Sequence, residues 1–191
     1  VKSLEINRKN IFALINLGRI SRLVNNLQRS EKLLIEALDL EPENLFAQLY
    51  YGELKIDQNN FKDAISIFEK IYIKDKNFQN ITMKLANTYS ILGNFEKAEE
   101  YFSLVSKKFP ELFAADYRLS NIINYSERNE HQKKILEKIK NKKFDKFNKY
   151  PLLFAAAKSY EDQKDYENAF KYIDVANKER NKLTPNNPLK Y

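Results

Sequence analysis

Few residues in this chain are of a type that performs chemistry. His131 is the only histidine, and there is no cysteine. A thiolate nucleophile, a disulfide and a Cys-ligated metal site are therefore excluded, and a zinc site would have to be assembled from carboxylates. His131 stands among Glu127, Arg128, Glu130 and Lys133. That neighbourhood predicts a solvent-exposed helix residue rather than a general base. Glu99-Glu100 and Glu161-Asp162 are adjacent carboxylates, and on a helix adjacent side chains point in different directions rather than at one substrate. The 3 glycines are isolated and form neither a G-x-G-x-x-G nor a P-loop run. No catalytic residue, metal or cofactor is expected.

What the sequence does carry is a period. In Leu85 to Pro110, Leu85, Ala86, Tyr89 and Leu92 fall three and four apart, and after Gly93-Asn94 the spacing resumes with Phe95, Ala98, Phe102 and Val105. Such spacing marks two amphipathic helices joined by a tight turn, with Pro110 as terminator. Moving back 34 residues finds Tyr51, Gly52, Asn59-Asn60, Phe61, Ala64, Phe68 and Ile71. A further step finds Leu17, Gly18, Asn25-Asn26, Leu27, Ser30, Leu34, Ala37 and Pro42. This predicts an all-α fold of stacked antiparallel helix pairs, an α-solenoid. Gly18 should face Ser30, Gly52 should face Ala64 and Ala86 should face Ala98, because larger residues would push the crossing helices apart. The Asn and Gly pairs supply the positive-φ positions of the turns. Lys76 stands where a third Pro would be, so that junction should be less rigid.

The pattern resembles the tetratricopeptide repeat, with small residues at its eighth and twentieth positions, an aromatic at the twenty-fourth and Pro at the thirty-second. The resemblance implies a right-handed superhelix forming a single domain over 1–183. Its repeats would be 11–44, 45–78, 79–112, 113–149 and 150–183, followed by a non-helical tail at 184–191. Val1 to Asn10 matches the end of a repeat, as in Ala37–Asn44, and reads as the second helix of a truncated unit. In the fourth unit Tyr117, Leu119, Ser120 and Ile123 keep the first helix, whereas Gln132 replaces the small residue and Asn129 the aromatic. Leu136 and Ile139 preserve the apolar stripe of the second helix. Lys133 to Lys149 holds eight lysines against Glu137 and Asp145 and reads either as a solvated junction or as a basic contact surface. Phe170, Ile173 and Val175 on the last helix have no partner in sequence. These ends predict self-association or contact with flanking domains.

In the tetratricopeptide family the groove is lined by the second, fifth, sixth, ninth, twelfth and thirteenth positions of each repeat. Carried onto this sequence, they give Asn16, Arg19 and Arg22, then Leu49, Tyr50, Glu53 and Asp57, then Asn80, Met83, Lys84, Asn87 and Ser90. The fourth unit gives Tyr117, Arg118, Asn121, Asn124 and Tyr125, and the fifth Phe154, Lys158 and Glu161. Arg19, Lys84, Arg118 and Lys158 place a cation in four units. Asn87 and Asn121 could pair with an extended backbone, and Tyr50, Tyr117 and Tyr125 offer contact area. The same residues also suit an ordinary wet helix face. Ile15 and Leu49 stand where a carboxylate-clamping Lys is expected, which argues against a chaperone-tail adaptor. The resemblance implies a non-catalytic scaffold for an extended peptide or partner domain, with acidic character favoured by the cations.

Leu152 to Pro185 has a second resemblance, to the final repeat of bacterial proteins in which such repeats precede a sulfotransferase domain. It rests on the F-A-x-A-K opening, the D-Y-x-x-A-F turn and the A-N-x-x-R tail, and implies a catalytic half beyond Tyr191. A helical-repeat RNA-binding module is a third reading, favoured by the net charge of +7 and opposed by Glu53, Asp57 and Glu161 among the cations. No apolar run reaches the roughly 20 residues that span a bilayer, and a cytoplasmic location is expected.

Overall fold

Asparagine side chains open the first three described helices. Asn10 Oδ1 accepts from Ala13 N, Asn26 Oδ1 from Arg29 N, and Asn44 Oδ1 from Phe46 N and Ala47 N. Each fills donors that a helix start leaves unpaired. The structure, a computed structural model, describes residues 10–127, 129–145 and 147–183. The truncated first unit and the tail expected at the two ends lie largely outside the described residues. The chain divides into two compact units, residues 1–94 and 95–191, and among the described residues there are helices and no strands.

The first unit contains α1 (Ile11–Leu23), α2 (Leu27–Leu40), α3 (Leu45–Asp57), α4 (Phe61–Lys74) and α5 (Ile81–Ile91). α1 packs on α2 and α3 on α4, while α2 meets α3 and α4 meets α5. The reversals inside the pairs share one geometry. Asn25 (φ 59°), Asn59 (φ 60°) and, after α5, Gly93 (φ 81°) are left-handed. In each case the next N–H reaches a carbonyl five residues back: Asn26 to Ser21, Asn60 to Lys55 and Asn94 to Tyr89, at 2.8–2.9 Å. Those bonds satisfy the last carbonyls of the helix. Between pairs, Asn44 N bonds Glu41 O across Pro42. The same bond runs from Phe78 N to Asp75 O across Lys76. What differs at Lys76 is an added 3-10 turn, Phe78–Asn80, which delays the start of α5 to Ile81.

The glycine contacts differ from expectation. A Cβ on Gly18 would lie 2.7 Å from Leu34 Cγ, and one on Gly52 would overlap the Phe68 ring. The glycines therefore make room for the large buried side chain one turn beyond Ser30 and Ala64, not for those small residues themselves. Side chains lean towards the helix N-terminus, so a surface spot is covered by a residue further along.

The second unit holds α6 (Phe95–Lys108), α7 (Phe113–Ser120), α8 (Glu130–Lys140), α9 (Tyr150–Asp162) and α10 (Tyr166–Leu183). α6 packs on α7, both α7 and α8 pack on α9, and α9 pairs with α10 through a turn at Lys164 (φ 62°). α7 stops at Ser120, so Ile123 lies in a loop rather than on the expected helix. Asn124 ends the helical run by accepting from the N–H and hydroxyl of Ser126, a local bond that competes with helix propagation. After α8 a 3-10 turn, Lys142–Phe144, buries Phe144 edge-on against Phe113 at 5.5 Å between centroids. On α10, Phe170, Ile173 and Val175 are exposed.

A buried polar cluster holds the fourth unit together. Asp116 is 1% exposed. Its Oδ1 accepts from Ser106 Oγ at 2.6 Å and from His131 Nε2 at 3.3 Å, and its Oδ2 from Lys138 Nζ at 2.7 Å. His131 Nδ1 in turn accepts the Tyr125 hydroxyl at 2.6 Å. His131 is thus a largely enclosed bridge and not the exposed residue expected from its neighbours. Its partners lie 15 residues upstream and in the loop, which a window of adjacent charges does not reveal. Gln132, at the small-residue position, is buried by a reciprocal amide pair with Gln163 at 3.0–3.2 Å.

Burial alone would raise the Asp116 carboxyl pKa, but the His131 hydrogen bond, the Lys138 charge and hydrogen bond, and the Ser106 hydroxyl outweigh it and hold the group below its ordinary range. A depressed folded pKa adds stability that is present above the unfolded value, about 3.9, and is lost as pH falls through the folded value. Acid titration should therefore lower the stability of the second unit progressively below about pH 4. Asp116→Asn, which strands Lys138, should cost about 3–5 kcal/mol at neutral pH and flatten the acid limb, as read by urea unfolding at pH 7 and pH 3.5. Gly52→Ala gains about 1 kcal/mol of helix propensity but meets an enclosed ring, at an overpacking cost of about 1–3 kcal/mol. Its urea midpoint should fall; a rise would mean that Phe68 moves aside freely.

Candidate peptide-binding site

In the first unit, α1, α3 and α5 supply the sequence-derived positions. Tyr50, Glu53, Lys84 and Asn87 line one depression of about 370 Å3, with Leu49, Asn80 and Met83. Tyr50 is also a wall of a second hollow of about 190 Å3, lined by Phe12, Ile15, Asn16, Asn44 and Phe46. Arg19 rests its guanidinium over the Tyr50 ring, 5.8 Å from the centroid. Asn16 Nδ2 is spent on Phe12 O. The Asn87 amide, by contrast, makes no hydrogen bond among the described residues.

The charges here are mostly neutralised. Glu53 bonds Lys84 Nζ through Oε1 and Arg22 Nη2 through Oε2, the latter at 2.6 Å, and Arg22 Nη1 also reaches Asp57 at 2.9 Å. Of the four cations expected to line a groove, Lys84 is paired with Glu53 and Lys158 with Asp162. Arg19 and Arg118 make no ion pair among the described residues.

In the second unit Tyr117 lies against Phe154 at 6.2 Å, and Phe154 is flanked by Tyr150 and by the Arg180 guanidinium at 5.5 Å. Arg118 and Asn121 are exposed at the end of α7, where Asn121 is the cap. Tyr125 does not join them. It is 1% exposed, its N–H donates to Asp162 Oδ2, and its hydroxyl is bonded to His131. Burial first, and then the charges of Asp116 and Asp162, push its phenol well above the ordinary range. The early end of α7 turns Tyr125 inward, so the repeat register no longer applies there. Between α6 and α8 the same loop leaves a cavity of about 500 Å3 lined by Glu99, Ser103, Leu119, Ile123, Glu127 and His131, among others.

Phe12 and Phe46 escaped the residue-by-residue reading although both occupy the second position of their repeats, which the family register already marks. They are 72% and 42% exposed, and Phe46 meets Phe78 edge-on at 5.0 Å.

Residues 55–118 match the family model of the tetratricopeptide repeat. No curated protein matches the chain in sequence. Among solved structures, MamA aligns at 18% identity and a TM-score of 0.70, over 95% of this chain and 98% of that one. YrrB, described as a TPR protein with an unusual peptide-binding site, aligns at 18% identity and a TM-score of 0.69, over 93% and 90%. PilF of Pseudomonas aeruginosa aligns at 15% identity and a TM-score of 0.68, over 88% and 76%. Residues 55–118 are thus tetratricopeptide repeat sequence, and the paired-helix fold to either side of them is that of the tetratricopeptide repeat solenoids.

Proposed function

We propose that this chain is a non-catalytic interaction scaffold that holds an extended peptide on the α1–α3–α5 face of its first unit. The observation that carries this reading is the pair of adjoining depressions that share Tyr50 as a wall. An apolar side chain of the peptide enters between Phe12, Phe46 and Tyr50, where aromatic walls remove it from water. The next stretch of backbone lies over the second depression, where the uncommitted Asn87 amide donates to a carbonyl and accepts from an N–H. A single carboxylate on the peptide meets Arg19; Lys84 contributes only the charge that Glu53 leaves. Tyr117, Arg118 and Asn121 form a second contact surface on the other unit. The likeness to YrrB, itself described as having a peptide-binding site, supports the class of ligand. A cytoplasmic setting fits a partner of this kind.

Peptides selected from a random 12-residue library on the immobilised chain should carry a recurrent apolar residue next to a polar, acid-containing stretch. Tyr50→Ala with Asn87→Ala should weaken them at least about tenfold, in the range of interface hot spots, with the helical circular dichroism unchanged. Equal capture by the folded double variant would remove this site.

A further inference from the structure

Six lysines of the stretch Lys133 to Lys149 separate, in the structure, into two sets, while Lys134 lines the cavity between α6 and α8. Lys138 is consumed by Asp116 and Ser106. Lys149 donates to Ile139 O at 2.8 Å and to Asp145 at 2.6 Å. Lys149 therefore supplies the positive charge that the carbonyl end of α8 calls for. Lys133, Lys140, Lys142 and Lys143 are all exposed and make no ion pair among the described residues; Lys143 only leans over the Phe144 ring at 5.9 Å. Lys133, Glu137 and Lys140 recur at spacings of four and three and so share the outer face of α8. Lys133 and Glu137 stand in the less favourable order for an intrahelical pair, and they make none. Lys142 and Lys143 extend the face onto the 3-10 turn whose Phe144 is buried. The fold thus uses the aromatic of this turn and leaves its cations unspent.

We infer that Lys133, Lys140, Lys142 and Lys143 form a second docking surface, on the opposite unit from the peptide site, for an acidic segment of a partner protein. Nucleic acid fits it less well. Phe144 is enclosed, and the partly exposed Phe147 is engaged edge-on by Phe113, so the surface offers no run of rings for stacking successive bases. Glu137 interrupts the track that a continuous phosphate backbone would follow. A membrane fits it less well too, because α8 turns Ile135, Leu136 and Ile139 into the core and keeps no apolar face for the bilayer. Carboxylates spaced along a flexible chain meet the lysines one by one and can avoid Glu137.

The test uses the full 191-residue chain and three probes: a labelled Asp/Glu-rich 12-residue peptide, a 12-nucleotide single-stranded RNA, and vesicles containing anionic lipid. The acidic peptide should bind best, and its affinity should fall at least about tenfold between low and physiological salt, as screening of exposed charges requires. Lys133→Glu, Lys140→Glu, Lys142→Glu and Lys143→Glu together should lower it at least tenfold. Tyr50→Ala with Asn87→Ala should leave it unchanged, which separates this surface from the peptide site. A fourfold variant that keeps its thermal midpoint and still binds the acidic peptide as the parent does would overturn the inference. Tighter binding of the RNA or of the vesicles than of the acidic peptide would overturn it as well, and would reassign the lysines to that ligand.

Discussion

Each helix pair in the first unit depends on a close approach that two glycines permit. Phe68 and Leu34 are fully enclosed, and each is pressed against a backbone that carries no side chain at Gly52 or Gly18. Both sides of the contact matter energetically. A fully buried Phe or Leu side chain contributes about 1.5–3 kcal/mol by leaving water, and close packing over a bare backbone adds dispersion contacts on every side. The turn a few residues later is part of the same constraint. The helices can cross so closely only if the chain reverses within two residues, and that demands one left-handed residue at a fixed place. Asn25 and Asn59 meet the demand at modest cost because asparagine tolerates that conformation.

The fourth unit has no such crossing: α7 and α8 each pack on α9, and polar side-chain bonds join the two to each other. There is no glycine in α7, and Gln132 occupies the position of the small residue. A bulky, polar side chain buried there is tolerable only if its polar atoms find partners. The Gln132–Gln163 amide pair does this on one side, and the Ser106–Asp116–Lys138–His131–Tyr125 cluster on the other. Removing one member of that cluster would leave a buried partner unsatisfied, which costs more than losing the bond itself.

That contrast explains what the sequence discloses. The pairing of helices and the left-handed residues of the turns follow from local spacing and from residues with few conformational options. Such signals sit within a few positions of one another. The burial of His131 and Tyr125 is not legible locally, because it is set by bonds to Asp116 and Asp162, 15 and 37 residues away. The repeat register itself failed there, because Asn124 and Ser126 close a local turn just where the register assumes another helical turn. Phe12 and Phe46 differ: each stands at the second position of its repeat, where a large exposed ring carries more contact energy than the polar residues around it.

The electrostatics follow the same long-range rule. Arg22 meets Glu53, and Lys84 meets the same Glu53, each at a separation of 31 residues. In a repeat array the residue beside a given side chain is the one nearly a period away, so a cation is available to a partner only where that offset brings no carboxylate. On α8 the offset of 31 joins Gln132 to Gln163. Counting the same distance from Lys133 and Lys140 arrives at Lys164 and Lys171, which are cations too. Net charge per helix therefore says little about binding in such a chain. The charge left after summing across the period does, and by that measure the cationic character lies on α8 and the turn after it rather than on the face that carries Lys84.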